Sequence, residues 1–181
     1  MGQDGAIWQL TVASAAAMSG ERFVSLAVDG AVNALVVGLD GPALRELAGM
    51  SRATPSEDVR DLLPGALAEV GVAPPVSVDE ANLINLRTLA IHALLGWIPI
   101  RSLTSWAHAA IGHQGIDAAQ SIVMLDDDLD LSESGVNNTA EARVIIEAFL
   151  AASRHLVDRF AVAAARARDC GSAIARTQGV D

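Results

Sequence analysis

Helix starts are marked in this chain independently of its hydrophobicity, and nothing else in the sequence constrains the fold as tightly. Thr54-Pro55-Ser56-Glu57 has the form of a capping box with Pro at the first helical position. In that arrangement the Thr hydroxyl and the Glu carboxylate each accept from an orphan backbone N–H. Ser77-Val78-Asp79-Glu80 repeats the pattern, and Asn138-Thr139-Ala140-Glu141 is a less complete third copy. Asp40 reads as an N-cap for another short helix running through Gly49, with Pro42 in its first turn, where a missing N–H costs nothing.

The stretches around these starts have helical spacing. Ile7–Met18 and Glu21–Val37 are separated by Gly20. In the second, Phe23, Leu26, Ala27, Ala31, Ala34, Leu35 and Val37 approximate an apolar stripe that Gly30 weakens. Ala81–Leu95 presents Leu83, Leu86, Leu89, Ala90 and Ala93 to a core and stops at Gly96-Trp97-Ile98-Pro99. Ser102–Ile111 closes at Gly112, Ile116–Leu125 follows, and a last helix is expected from Thr139 to about Arg168, burying Ile145, Phe149, Leu156 and Phe160. Pro64 falls inside the helix opened at Thr54 and is expected to kink or divide it.

A strand is suggested only by Ser121–Leu125, which sits among helix formers. The apolar residues are mostly Ala, Leu and Val, with no Tyr, and Ala lets helix backbones approach closely at no side-chain entropy cost. The expectation is an all-α, irregular bundle of about seven to eight helices. Gly71–Pro75 is the best boundary, giving helical halves at residues 1–72 and 76–181 or one compact domain.

The net charge of −10 argues against nucleic acid, because affinity for phosphates comes from neutralising them with Lys and Arg. Residues 1–76 hold 9 acids and 4 Arg, residues 77–138 hold 8 and 2, and residues 139–181 hold 5 and 6, so the acidic surface lies in the first three quarters. No stretch reads as a membrane span: Ile7–Gly20 contains Gln9, Thr11 and Ser14 and is shorter than the roughly 20 apolar residues required. Asp4 and the absence of Arg before Arg22 argue against a secretory leader, so a cytoplasmic location is expected.

Two segments carry a resemblance. Gly38–Met50 (GLDGPALRELAGM) followed by Glu57–Gly71 (EDVRDLLPGALAEVG), and Trp106–Asp130 with its W-A-H-x-x-I-G-H and L-D-D-D-L-D runs, resemble patterns in small, acidic, helical actinobacterial proteins. The resemblance covers about a third of the chain. It implies a helical cytoplasmic protein and brings no activity, cofactor or site residue with it.

The chemistry-bearing residues concentrate in the middle segment. His92, His108 and His113 lie close in sequence to Asp126, Asp127, Asp128 and Asp130, and imidazole and carboxylate together suit a borderline metal. The spacing opposes it: His108 and His113 are five apart with Gly112 between them, so they would not share a helix face. That places His108 half-buried beside Trp106 and His113 at a helix C-terminus. Asp126, Asp128 and Asp130 alternate as in a calcium loop, but the sixth position is Leu131 where Gly is needed and the twelfth is Asn137 where Glu is needed. A solvated acidic helix end is the plainer reading. Cys170 lies beside Arg166 and Arg168 without a neighbouring His, which reads as an incidental thiol. The C-terminal stripe of Arg154, Arg159, Arg166 and Arg168 is interrupted by Asp158. No serine elbow, P-loop or dinucleotide fingerprint occurs, so the chain leans away from enzymes and cofactors.

The first functional expectation is therefore an interaction module of immunity, antitoxin or regulatory type. It would offer Asp126, Asp127, Asp128 and Asp130, with Glu57, Asp58 and Asp61, to a basic protein partner. The alternatives are a metal-binding protein using His108, His113, Asp126 and Asp128, or a homodimer formed through the C-terminal helix.

Overall fold

The computed structural model describes residues 2–131, 138–156 and 158; among these it is all-α, with eight α-helices, one short 3-10 turn and no strand. The chain divides into two compact units, Met1–Val76 with Leu156–Asp181, and Ser77–His155.

The first unit contains α1 (Gln3–Ser19), α2 (Val24–Val36), α3 (Pro42–Ala48) and α4 (Ser56–Glu69). Helix α1 packs on α2 and α4, and α3 lies against α2 and α4, so the four helices close on one core. Helix α1 is buried on almost every side because its middle is Ala-rich: Ala6, Leu10, Ala13 and Ala15 are fully enclosed. Its buried hydroxyl, Thr11 Oγ1, is satisfied by donating to Ile7 O at 2.9 Å. Gly30, which as a sequence feature only weakened α2, has a packing role. A Cβ there would lie 3.2 Å from Leu10 Cγ, so the missing side chain lets α2 settle against α1. The buried face of α2 accordingly runs through Ala27, Val28, Gly30, Ala31 and Ala34, while Leu26 is exposed.

Two expected caps in this unit are not made. Asp40 does not cap α3; it forms an exposed ion pair with Arg45 instead. The first turn of α3 is capped from the far end of α4, where Glu69 accepts from Ala43 N at 2.8 Å and Leu44 N at 2.9 Å. Thr54 does not cap α4 either, because Pro55 is the N-cap residue and the chain makes a turn closed by Thr54 N donating to Ser51 O at 2.9 Å. Pro64 neither divides nor ends α4, which is continuous from Ser56 to Glu69. The Pro ring stands on the exposed side, and burial of Leu63, Ala66 and Leu67 on the opposite side offsets its lost hydrogen bond.

The second unit holds α5 (Val78–Leu94), α6 (Ile100–Ala110), a 3-10 turn (Asp117–Ala119), α7 (Gln120–Leu131) and α8 (Asn138–Ala152). Here the expected cap is present: Ser77 Oγ accepts from Glu80 N at 3.2 Å. The core gathers Leu86, Ala90, Ala93, Leu103, Ala107, Ile122, Val123, Ile146 and Phe149. Polar side chains close the helix ends around it. Arg87 Nη1 donates to Leu150 O at 2.6 Å and Ser153 Oγ at 2.8 Å, at the end of α8, and Asn82 Nδ2 donates to Ala110 O at 3.3 Å, at the end of α6. The helix expected from Thr139 to about Arg168 is interrupted: α8 ends at Ala152, Ser153 is a turn and residues 154–156 are helical again, while most of the remaining expected span lies outside the described residues. Phe160, Arg159, Arg166, Arg168 and Cys170 lie outside the described residues, as do residues 132–137.

Candidate metal centre

The site is built where α6 ends and α7 passes. Helix α6 stops because Gly112 adopts a left-handed backbone (φ +68°), which an L side chain rarely tolerates. Gly112 N still donates to Ala107 O at 3.3 Å, so the chain turns back over the helix end instead of leaving it. This turn carries His113 onto His108: their ring centroids are 4.8 Å apart, edge to face at 75°. The helical-wheel argument that five-residue spacing separates the two imidazoles therefore fails, since the helix does not extend across Gly112.

Packing of α6 against α7 supplies the carboxylates. Asp127 lies between the two rings, with Oδ1 3.6 Å from His108 Nδ1 and Oδ2 3.5 Å from His113 Nε2. One donor atom from each of His108, His113 and Asp127 lies within 4.8 Å of the other two. Tetrahedral coordination with bonds of ~2.0–2.1 Å implies donor–donor separations of ~3.3 Å, so closure onto a borderline divalent ion needs only small side-chain adjustments. All three side chains are partly exposed, which leaves an entry path.

Asp126 differs from the rest of the run. The residue is 6% exposed, and Oδ1 accepts from Thr104 Oγ1 at 2.7 Å and Ser105 Oγ at 3.2 Å. Arg101 Nη1 stands 3.7 Å from the same oxygen, while Oδ2 faces His108 Nδ1 at 3.2 Å. Burial by itself would push this carboxyl up, but the two hydroxyl donors and the charges of Arg101 and His108 outweigh it and hold the group below the usual carboxylate range. Asp130, one turn on, pairs with Arg101.

The solvated acidic helix end thus gives way to a mixed arrangement. Helix α7 runs through the whole Asp126–Asp130 segment, which excludes a calcium-loop backbone there. Carboxylates near a helix C-terminus oppose its dipole, and the Arg101 guanidinium offsets part of that cost. Asp128 is exposed and outside the His–His–Asp group, so of the sequence candidates His108 and His113 converge, joined by Asp127 in place of Asp128. His92 is elsewhere, its ring tilted at 42° against Trp97 with centroids 5.1 Å apart. Glu57, Asp58 and Asp61 are exposed on the early turns of α4, in the first unit.

Sequence reasoning missed Arg101, Thr104 and Ser105. The signal was present: with His108 they form a polar stripe at helical spacing on α6, opposite the apolar Leu103 and Ala107.

No protein-family model, no curated protein and no solved structure matches this chain. Among the described residues no helix is long and apolar enough to cross a membrane.

Proposed function

We propose that this is a helical metal-binding protein whose centre is formed by His108, His113 and Asp127. The observation that carries the reading is the mutual approach of the three donor groups within 4.8 Å, brought about by a left-handed glycine turn and by a neighbouring helix. Two imidazoles and one carboxylate favour zinc and similar borderline ions over magnesium or calcium, which prefer all-oxygen sites. A metal held there would tie the turn after α6 to α7 and stabilise the second unit by linkage. The direct test is a calorimetric titration with zinc, manganese and calcium. Saturable zinc binding that is lost in H113A supports the proposal; a wild-type chain that takes up none of the three ions refutes it.

A second reading keeps the interaction module but moves its surface. Asp126 is buried and Asp130 is paired, whereas Glu57, Asp58 and Asp61 are all exposed on one stretch of α4. These carboxylates suit a basic partner through steering more than through affinity. Neutralising Glu57, Asp58 and Asp61 should then slow association with that partner at low salt, and an unchanged on-rate would remove this surface from consideration.

A further inference from the structure

We infer that Gln120 is a positioning residue for the metal centre: its side-chain amide clasps both ends of the loop that carries His113 and so holds that imidazole against His108 and Asp127. The inference rests on the metal reading above and adds what keeps the one loop-borne ligand in place.

His108 and Asp127 stand on helices, whereas His113 stands on the connection between α6 and the 3-10 turn, so its position depends on what fixes that loop. Gln120, the first residue of α7, grips the loop from outside it. Its Nε2 donates to Gly112 O at 3.0 Å, immediately before His113, and to Ile116 O at 3.4 Å, at the far end of the loop. Both partners are carbonyl oxygens, which can only accept, so the nitrogen end of the amide must face them.

The loop is tight where the clasp closes it. Gly112 O accepts a second bond, from Gly115 N at 3.3 Å. A Cβ on Gly115 would meet Ile111 Cγ2 at 2.7 Å, so the chain passes against the end of α6 with no room for a side chain. Residues 112–116 therefore form a small closed turn that bears His113, and Gln120 anchors that turn to α7.

Gln120 and Asp127 are seven residues apart on α7, two turns along one face. A single helix face thus presents Asp127 directly and sets His113 through the loop. Release of the clasp alone would free His113 while leaving His108 and Asp127 on their helices. A site whose binding-competent form is populated only part of the time has its apparent affinity reduced by that fraction.

The test begins on the metal-free wild-type chain, so it does not depend on any variant folding. Nuclear Overhauser contacts should join the Gln120 side-chain amide protons to residues 112–116, and the His108 ring to the His113 ring. In Q120M, which keeps the side-chain length and removes the donor, the ring contact should weaken, with native helicity checked by circular dichroism. Zinc affinity should fall about fivefold to tenfold, the equivalent of one net hydrogen bond. In H113A the same Q120M substitution should cost nothing further, because a residue that acts through His113 has nothing left to position. Equal losses in the wild-type and H113A backgrounds would overturn the positioning role and leave Gln120 a purely structural residue. Absence of the wild-type amide contacts, or a Q120M chain with unchanged ring contact and zinc affinity, would also overturn it. Rings that meet in wild type and part in Q120M, in a chain that takes up no zinc, would bring down the metal reading while the clasp itself stands.

Discussion

The imidazoles of His108 and His113 are five residues apart in the chain and 4.8 Å apart between ring centroids. A continuous helix would have pointed them in different directions. The left-handed Gly112 between them reverses the chain and makes them neighbours.

Gly112 should therefore be sensitive for conformational reasons alone. The nearest atom to a Cβ placed there is His108 O at 3.8 Å, so an Ala side chain has room. Its cost is the positive φ, about 1 kcal/mol of stability, and a shifted His113. G112A should unfold at lower denaturant and bind zinc more weakly than wild type; an unaltered denaturation midpoint and affinity would show that the turn does not hold the site.

Asp126 should make the second unit acid-sensitive. Its carboxyl is held below the ordinary value in the folded chain, so the unfolded state takes up the proton first as pH falls. The stabilisation is complete above the unfolded-state pKa of roughly 4 and is lost as pH drops through the lower folded-state value. D126A should flatten that acid limb of the stability curve and, by removing the hydrogen bond from Thr104 Oγ1, whose hydroxyl is left with Arg101 O at 3.2 Å as its acceptor, cost about 1 kcal/mol at neutral pH. Urea denaturation at pH 3, 5 and 7 checks both effects.

In the first unit, Glu69 replaces the missing local cap of α3. E69A should destabilise by about 1 kcal/mol, the usual cost of losing an N-terminal cap, although no residue of α3 is altered. G41A should also destabilise, because a Cβ at that position would meet Glu69 Cγ at 2.8 Å and displace the carboxylate. Denaturant titration of each variant decides the point, and E69A with a wild-type midpoint would rule out the cap.

These contrasts show which parts of the structure the sequence carries openly. The helices and their stops are local matters of periodicity, glycine and proline, and the Ser77 cap at Glu80 is made as its spacing predicts. Glu69 capping α3 from 25 and 26 residues away is a tertiary event with no local mark. Pro64 does not divide α4, because the helix buries Leu63 and Leu67 on the face away from the ring, and tertiary burial overrides a local breaker. At the site the residue types were legible, but their convergence was not: it depends on one glycine φ and on the packing of α7 against α6. The Arg101, Thr104, Ser105 and His108 stripe is legible from spacing, since polar residues at i, i+3, i+4 and i+7 share one helix face, and its one buried member, Thr104, needs a partner.

The metal should raise thermal stability by mass action, with the logarithm of free zinc once the site is filled. At a free zinc concentration about 100 times the dissociation constant, linkage gives about 2.7 kcal/mol. The melting temperature of the second unit should rise accordingly and fall back when a chelator is added. A rise of equal size in the H108A and H113A variants would assign the effect to another site.

The measurement that bears most directly on the central claim is a competition titration of zinc against a chelating indicator, run in parallel on wild type and H113A. The expected result is one zinc bound per wild-type chain and at least tenfold weaker binding in H113A. Failure of the wild type to compete with the indicator, or identical curves for the two proteins, would contradict the assignment of His108, His113 and Asp127 as a metal centre.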